Sequence, residues 1–187
     1  MEAGLAAFLR ASWGGPLPGE LRRTPRRASR AWKYDLLSGY REEPARILTP
    51  LRGSAGRDVV AVRGLDFVST CAHHLLPFHG KVHVAYLSDG RIAGVSRIAR
   101  LVACLSRRLQ IQEDLTREIV SAVQDRLAPR GAACVVEASH LCMTARGGRA
   151  GGTVVTSAFT GCYETSARAR AQILALLGIG AHGRRLR

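Results

Sequence analysis

The sequence predicts an α+β domain, a mainly antiparallel sheet with helices packed on one face. Three observations carry this reading. From residue 58 apolar residues alternate through VVAVR (59–63), LDFVS (65–69), KVHVAYL (81–87) and RIAGV (91–95), the period of half-buried strands. Two stretches of helical period follow at 96–109 and 112–128. Two further strand segments, ACVVEASHLCMTA (133–145) and TVVTSAFTG (153–161), precede a last helical stretch.

Taken in order, residues 1–23 carry the Gly/Pro-rich break WGGPLPG and are expected to be a poorly ordered N-terminal segment. The opening MEAGLAAFLR has an early Glu2 and no basic leader, so it reads as a helix or a frayed tail, not a signal peptide. Thr24-Pro25 marks a helix start, with Thr24 as N-cap and the helix running to about residue 37. Residues 42–58 read as a loop from their Pro, Gly and charge. Ser88-Asp89-Gly90 reads as a hairpin turn joining 81–87 to 91–95. Pro129-Arg130-Gly131 stops the second central helix, and Gly178 closes the last, at 166–178. The main domain thus spans 24–178, and 179–187 form a basic tail expected to be disordered.

Composition narrows the function classes. Apolar residues make up 47% and charged residues 22%, a globular balance. No apolar run approaches the roughly 20 residues of a membrane span, which points to the cytoplasm. Five scattered cysteines suit reduced thiols better than a disulfide framework. The net charge of +14 comes from 28 basic residues, all arginine except Lys33 and Lys81. Arginine is the stronger bidentate ligand for phosphate. Nucleic acid is a poor fit, because aromatics are only 5% and none interleave the arginines.

The residues with the most chemistry lie in STCAHHLLPFHGKVHVAYL (69–87) and SHLCM (139–143). Cys71 and His74 form a Cys-x-x-His half-site. His140 and Cys142, at alternate positions of an expected strand, would face one way. Cys71, His74 and Cys142 would then make a Cys2His zinc site with a fourth position left for water, the pattern of catalytic zinc. The rival use of these atoms is a Cys/His hydrolase with Cys71 as nucleophile. It would want an orienting carboxylate or amide near the motif, and none is apparent in the adjoining sequence. Cys104 and Cys134 read as core residues, Cys162 as inert, His79 and His83 as surface or packing residues, and His182 as part of the tail.

With these residues in place, the chain resembles the GTP cyclohydrolase I family over about residues 21–177. The resemblance is carried in order by TPRRASR, the 69–87 segment, GVSRIARLV, RRLQIQEDLT, SHLCMTARG and TVVTSAFTG. It implies a tunnelling fold whose sheets join into an intersubunit barrel. It implies a cytoplasmic homodecamer of two face-to-face pentamers, with active sites at subunit interfaces. By the same resemblance Cys71, His74 and Cys142 hold zinc, His73 and His140 act as acid/base catalysts, and Ser96 serves the ribose rearrangement. Gln112 and Glu113 hold guanine, and Arg27, Arg30, Arg97, Arg100 and Arg146 surround the triphosphate. The implied reaction is hydrolysis of GTP at C8, ring opening, formate release and rearrangement to 7,8-dihydroneopterin triphosphate.

Elementary chemistry agrees in part. Arg97 and Arg100 lie one turn apart at a helix start that Ser96 can cap, a place suited to phosphate. A carboxylate at 113 matches the N–H edge of guanine and rejects adenine. The chain departs from the family at CAHH, where Ala72 replaces a glutamate. That departure keeps two alternatives open: a divergent relative that stops at a formamidopyrimidine nucleotide or uses a modified guanine nucleotide, and a non-catalytic, zinc-stabilised nucleotide-binding protein.

Overall fold

A computed structural model describes residues 1–53, 58–146 and 148–179. In chain order the elements are α1 (Glu2–Trp13), α2 (Thr24–Ala31), α3 (Pro44–Ile47), β1 (Leu51–Arg52), β2 (Val59–Cys71), β3 (Pro77–Leu87) and β4 (Arg91–Ile92). They continue with α4 (Val95–Ser106), β5 (Leu109–Gln110), α5 (Gln112–Leu127), β6 (Gly131–His140), α6 (Leu141–Thr144), β7 (Val154–Gly161), α7 (Cys162–Thr165) and α8 (Ala167–Leu176). The α+β class stands. The main sheet has the order β5-β2-β3-β6-β7, antiparallel except for the β2–β5 pair.

Alternation along the strands sorts the core. Phe78, Val82, Val84 and Tyr86 of β3, with Ala132, Cys134, Val136 and Ala138 of β6, turn to one face. There they meet Ile98, Leu101 and Val102 of α4 and Leu115, Ile119 and Val123 of α5. Each such aliphatic side chain contributes about 1.5–3 kcal/mol on burial. Helices were expected on that face alone. Instead Ala85, Ala133 and Val135 look the other way and pack with Tyr163 of α7 and Ile173 of α8. The apolar run of β6 is the reason: buried on both sides, it calls for a second cover.

Other expectations are corrected locally. At the N-terminus the opening forms a helix, one of its two expected forms, as α1 over residues 2–13, with none of its residues buried. Residue 23, not Thr24, caps α2, and Trp32–Leu36 continue it as a wider π turn. The loop after residue 42 contains α3 and β1. The strands read at 59–63 and 65–69 are one, β2, bulged where Val62 pairs with Val84 and Leu65 with Val82. Gly64, at φ +69°, supplies the left-handed backbone beside the bulge. The hairpin at 88–90 does not form a β3–β4 pair. Both edges of β3 are taken by β2 and β6, so β4 pairs with β1. The basic tail from 180 lies outside the described residues, as do 54–57 in the expected loop and 147.

One close approach fixes the register that matters for the site. Gly80 of β3 pairs with Ala138 of β6. A Cβ there would lie 1.8 Å from the Glu137 carbonyl oxygen. Two residues along the same ladder, Phe78 faces His140.

Candidate metal centre and active site

The end of β2 delivers the first ligand. Beyond Cys71 the chain reverses within a few residues. The Cys71 N–H donates to the Leu76 carbonyl at 2.9 Å, and the Leu75 N–H donates to the Cys71 carbonyl at 2.9 Å. Leu75 sits at φ +56°, a left-handed conformation that costs a residue with a Cβ about 1–2 kcal/mol. The Ala72 N–H donates to the Gln110 carbonyl at 3.0 Å, pinning the reversal to β5.

The second segment ends differently from its sequence expectation. β6 stops at His140, and Cys142 lies in the first turn of α6, not on the strand. Chain reversal into a helical turn, not strand alternation, keeps the two side chains together. The Cys142 Sγ lies 4.0 Å from His140 Nδ1. The ligand atoms of Cys71, His74 and Cys142 all fall within 4.8 Å of one another, and Cys71 Sγ is 3.7 Å from His74 Nδ1.

Two thiols and an imidazole are a donor set suited to zinc. The electrostatics fit as well. Burial and the neighbouring Cys71 push the Cys142 thiol up, while Arg146 draws it down less strongly. A divalent cation between the sulfurs would reverse that balance and deprotonate them.

Around the cluster, His140 is held on two sides. Its ring stacks on Phe78 with centroids 4.6 Å apart and planes 5° from parallel. Its Nε2 lies 2.6 Å from Gln112 Oε1. Burial holds its pKa below that of an ordinary histidine, with Glu113 partly offsetting the effect. His73 is exposed and meets His74 edge-on at 6.1 Å.

The proposed substrate residues divide into groups. Glu113, in the first turn of α5, is exposed. Gln112 is 1% exposed. Its Nε2 faces the carbonyls of Val136 (3.1 Å) and Val154 (3.0 Å) and the hydroxyl of Thr156 (3.1 Å). Within this chain its amide nitrogen is spent inward. Ser96 is exposed in the first turn of α4, but Gly94 is the N-cap and no side-chain cap bond forms.

The arginines have different surroundings within one chain. Arg100 is held by Glu42, with Nε and Nη2 at 2.9 and 2.6 Å from one carboxylate oxygen. Arg97 Nη1 reaches the Ile47 carbonyl at 3.4 Å. Arg27 and Arg30 line a groove of about 870 Å³ with Arg23, Arg26, Tyr34 and Asp35, and no residue of the metal cluster lines it. Arg146 follows α6, exposed. Sequence reasoning missed Phe78, Thr116 and Thr156, whose roles come only from pairing between distant strands and helices. It also missed Arg23 and Arg26, although the i, i+3, i+4, i+7 spacing of 23, 26, 27 and 30 was there to be found.

Comparison with known sequences points one way. The pattern of the GTP cyclohydrolase I family matches residues 1–178. A GTP cyclohydrolase 1 from Rhodopirellula baltica (strain DSM 10527 / NCIMB 13988 / SH1) is 39% identical over 95% of this chain and 77% of its own length. A GTP cyclohydrolase 1 from Streptococcus agalactiae serotype V (strain ATCC BAA-611 / 2603 V/R) is 38% identical over 96% of this chain and 97% of its own. Among solved structures, an archaeosine synthase QueF-Like in the apo form gives a TM-score of 0.39 at 16% identity, over 57% of this chain and 96% of that one.

Proposed function

Because this chain belongs to the GTP cyclohydrolase I family, and is thereby a hydrolase acting on GTP, we propose that it converts GTP to 7,8-dihydroneopterin triphosphate with zinc held by Cys71, His74 and Cys142. The observation that carries this reading is the convergence of those three side chains beside His140. Zinc bound there would supply a Lewis acid able to acidify water near neutral pH.

The protein's own residues do the rest. Glu113, exposed at the start of α5, accepts the N–H edge of guanine and sets the choice of base. Water adds at C8, and a histidine, His73 or His140, protonates N7 so that the imidazole ring opens to a formamide. A second hydration releases formate. Ser96, from the exposed first turn of α4, serves the ribose rearrangement that closes the new ring onto the freed amine. Arg97, Arg100 and Arg146 bind the triphosphate, and Arg27 and Arg30 do so from a neighbouring subunit. That division accounts for the separate groove on α2. It makes the working protein a homo-oligomer, a decamer by family resemblance, whose sheets would join into a barrel. Reduced cysteines throughout the described residues suit a cytoplasmic enzyme. Among those residues no helix is long and apolar enough to cross a membrane.

Ala72 favours a second reading, a relative with an altered product. It lies exposed between two residues of the cluster and offers a methyl where the family has a carboxylate. Mass spectrometry of the product formed from GTP by the zinc-loaded protein decides. Dihydroneopterin triphosphate with one equivalent of formate is the expected result. An opened ring that retains its formyl group would assign the second reading, and GTP bound but unchanged would leave only a nucleotide-binding protein. On the first reading, Ala72→Glu raises the rate of neopterin formation.

A further inference from the structure

We propose that Gln112 is a positioning residue: it fixes His140 as the tautomer protonated on Nε2 and presents the bare Nδ1 to the Cys71–His74–Cys142 cluster. The inference deepens the proposed function, on which it rests, by naming the nitrogen that works.

Three oxygens surround Gln112 Nε2 at 3.0–3.1 Å, and two are backbone carbonyls, which only accept. The third belongs to Thr156, and its sense follows from its neighbour. Thr116 donates its hydroxyl to the Gln112 carbonyl at 2.7 Å. The hydrogen shared between Thr116 and Thr156 at 2.6 Å therefore comes from Thr156. Thr156 Oγ1 is left to accept from Gln112. A flipped amide would set its oxygen against two carbonyls in a buried place, at a cost of about 1–3 kcal/mol for each group left unmatched.

The amide oxygen must then face His140, where Nε2 lies 2.6 Å away. An acceptor at that distance requires an N–H, so Nε2 carries the proton and the neutral ring keeps its lone pair on Nδ1. Nδ1 is the nitrogen turned toward Cys142, at 4.0 Å from its sulfur. Phe78 holds the plane of the ring. The anchors come from β6, β7 and α5, so orientation passes from the rigid sheet to the reacting nitrogen.

The decisive measurement uses the unaltered, zinc-loaded protein labelled with 15N-histidine. Solid-state NMR, with His140 assigned through its contact to Phe78, is expected to show a protonated Nε2 and a bare Nδ1. A bare Nε2 with a protonated Nδ1 would overturn the proposal, and no variant has to fold for that result. In kinetics, Gln112→Met is expected to lower kcat by about 10–100-fold while zinc content and GTP affinity stay as they were. Weakened GTP binding with kcat unchanged would show that Gln112 grips the base directly, and would sink the idea. Failure of the native protein to open GTP would refute the proposed function and leave the NMR result standing on its own.

Discussion

The metal corner and the arginine face of α2 are built on opposite plans. In the corner, thiols, imidazoles and the Gln112 amide find partners within one chain, through β2, β3, β6, α5 and α6. On α2, four arginines share a groove whose lining holds one carboxylate, Asp35. Among the described residues none of those four arginines forms an ion pair with an acidic side chain. The three donor atoms of the corner all come from one chain. The groove is a concentration of positive charge that becomes favourable only when an anion arrives, and guanidinium forks suit a polyphosphate.

The sharpest way to break the comparison is to empty the corner. Cys142→Ala should abolish zinc retention and GTP turnover together, read by metal analysis and formate release. Cys104→Ala, whose thiol is buried against Gly39 and Arg108, should leave both nearly unchanged. Full zinc content in the Cys142 variant would remove the corner's claim to be a metal centre.

Next in size, the double change Arg27→Ala, Arg30→Ala should raise KM for GTP by at least about 100-fold, taking about 1.5 kcal/mol, the low end for a hydrogen bond to a charged group, for each. The zinc content should stay constant. Mixing this variant with Cys142→Ala sharpens the contrast further. If α2 serves a neighbour's corner, mixed oligomers regain part of the activity. No recovery and no change in KM would mean that the groove belongs to some other anion.

The smallest effect is a proton count. Without a metal, burial and Cys71 keep the Cys142 thiol protonated at neutral pH. Zinc binding must displace that proton, so affinity should rise with pH and fall on acidification. Calorimetry at pH 7 in buffers of different ionisation enthalpy should record proton release on loading. Loading with no proton release would place the metal elsewhere.

Much of this was legible in the sequence, for reasons that differ by element. The strands of the main sheet show themselves by period two, and α4 and α5 by their apolar stripes. Cys71 and His74 are three residues apart, so their meeting is local. Cys142 reaches the cluster by another route than the alternation of a strand, since a helical turn brings it back to His140. The pairing of β4 with β1 was invisible, because it depends on β3 having no free edge. The inward turn of Gln112 was equally hidden. Its partners Val136, Val154 and Thr156 come from strands 24 to 44 residues away, and nothing in the local string QED announces them.

Gly80 carries no functional group and touches no ligand, yet the corner is tuned by it. Because the β3 and β6 backbones nearly meet there, even a methyl would wedge the ladder apart two steps from the Phe78–His140 stack. Saturation mutagenesis should therefore score position 80 as severely as a zinc ligand. The tolerance map of this enzyme would then show a hot spot with no chemistry of its own, a spacer whose smallness is the whole of its contribution.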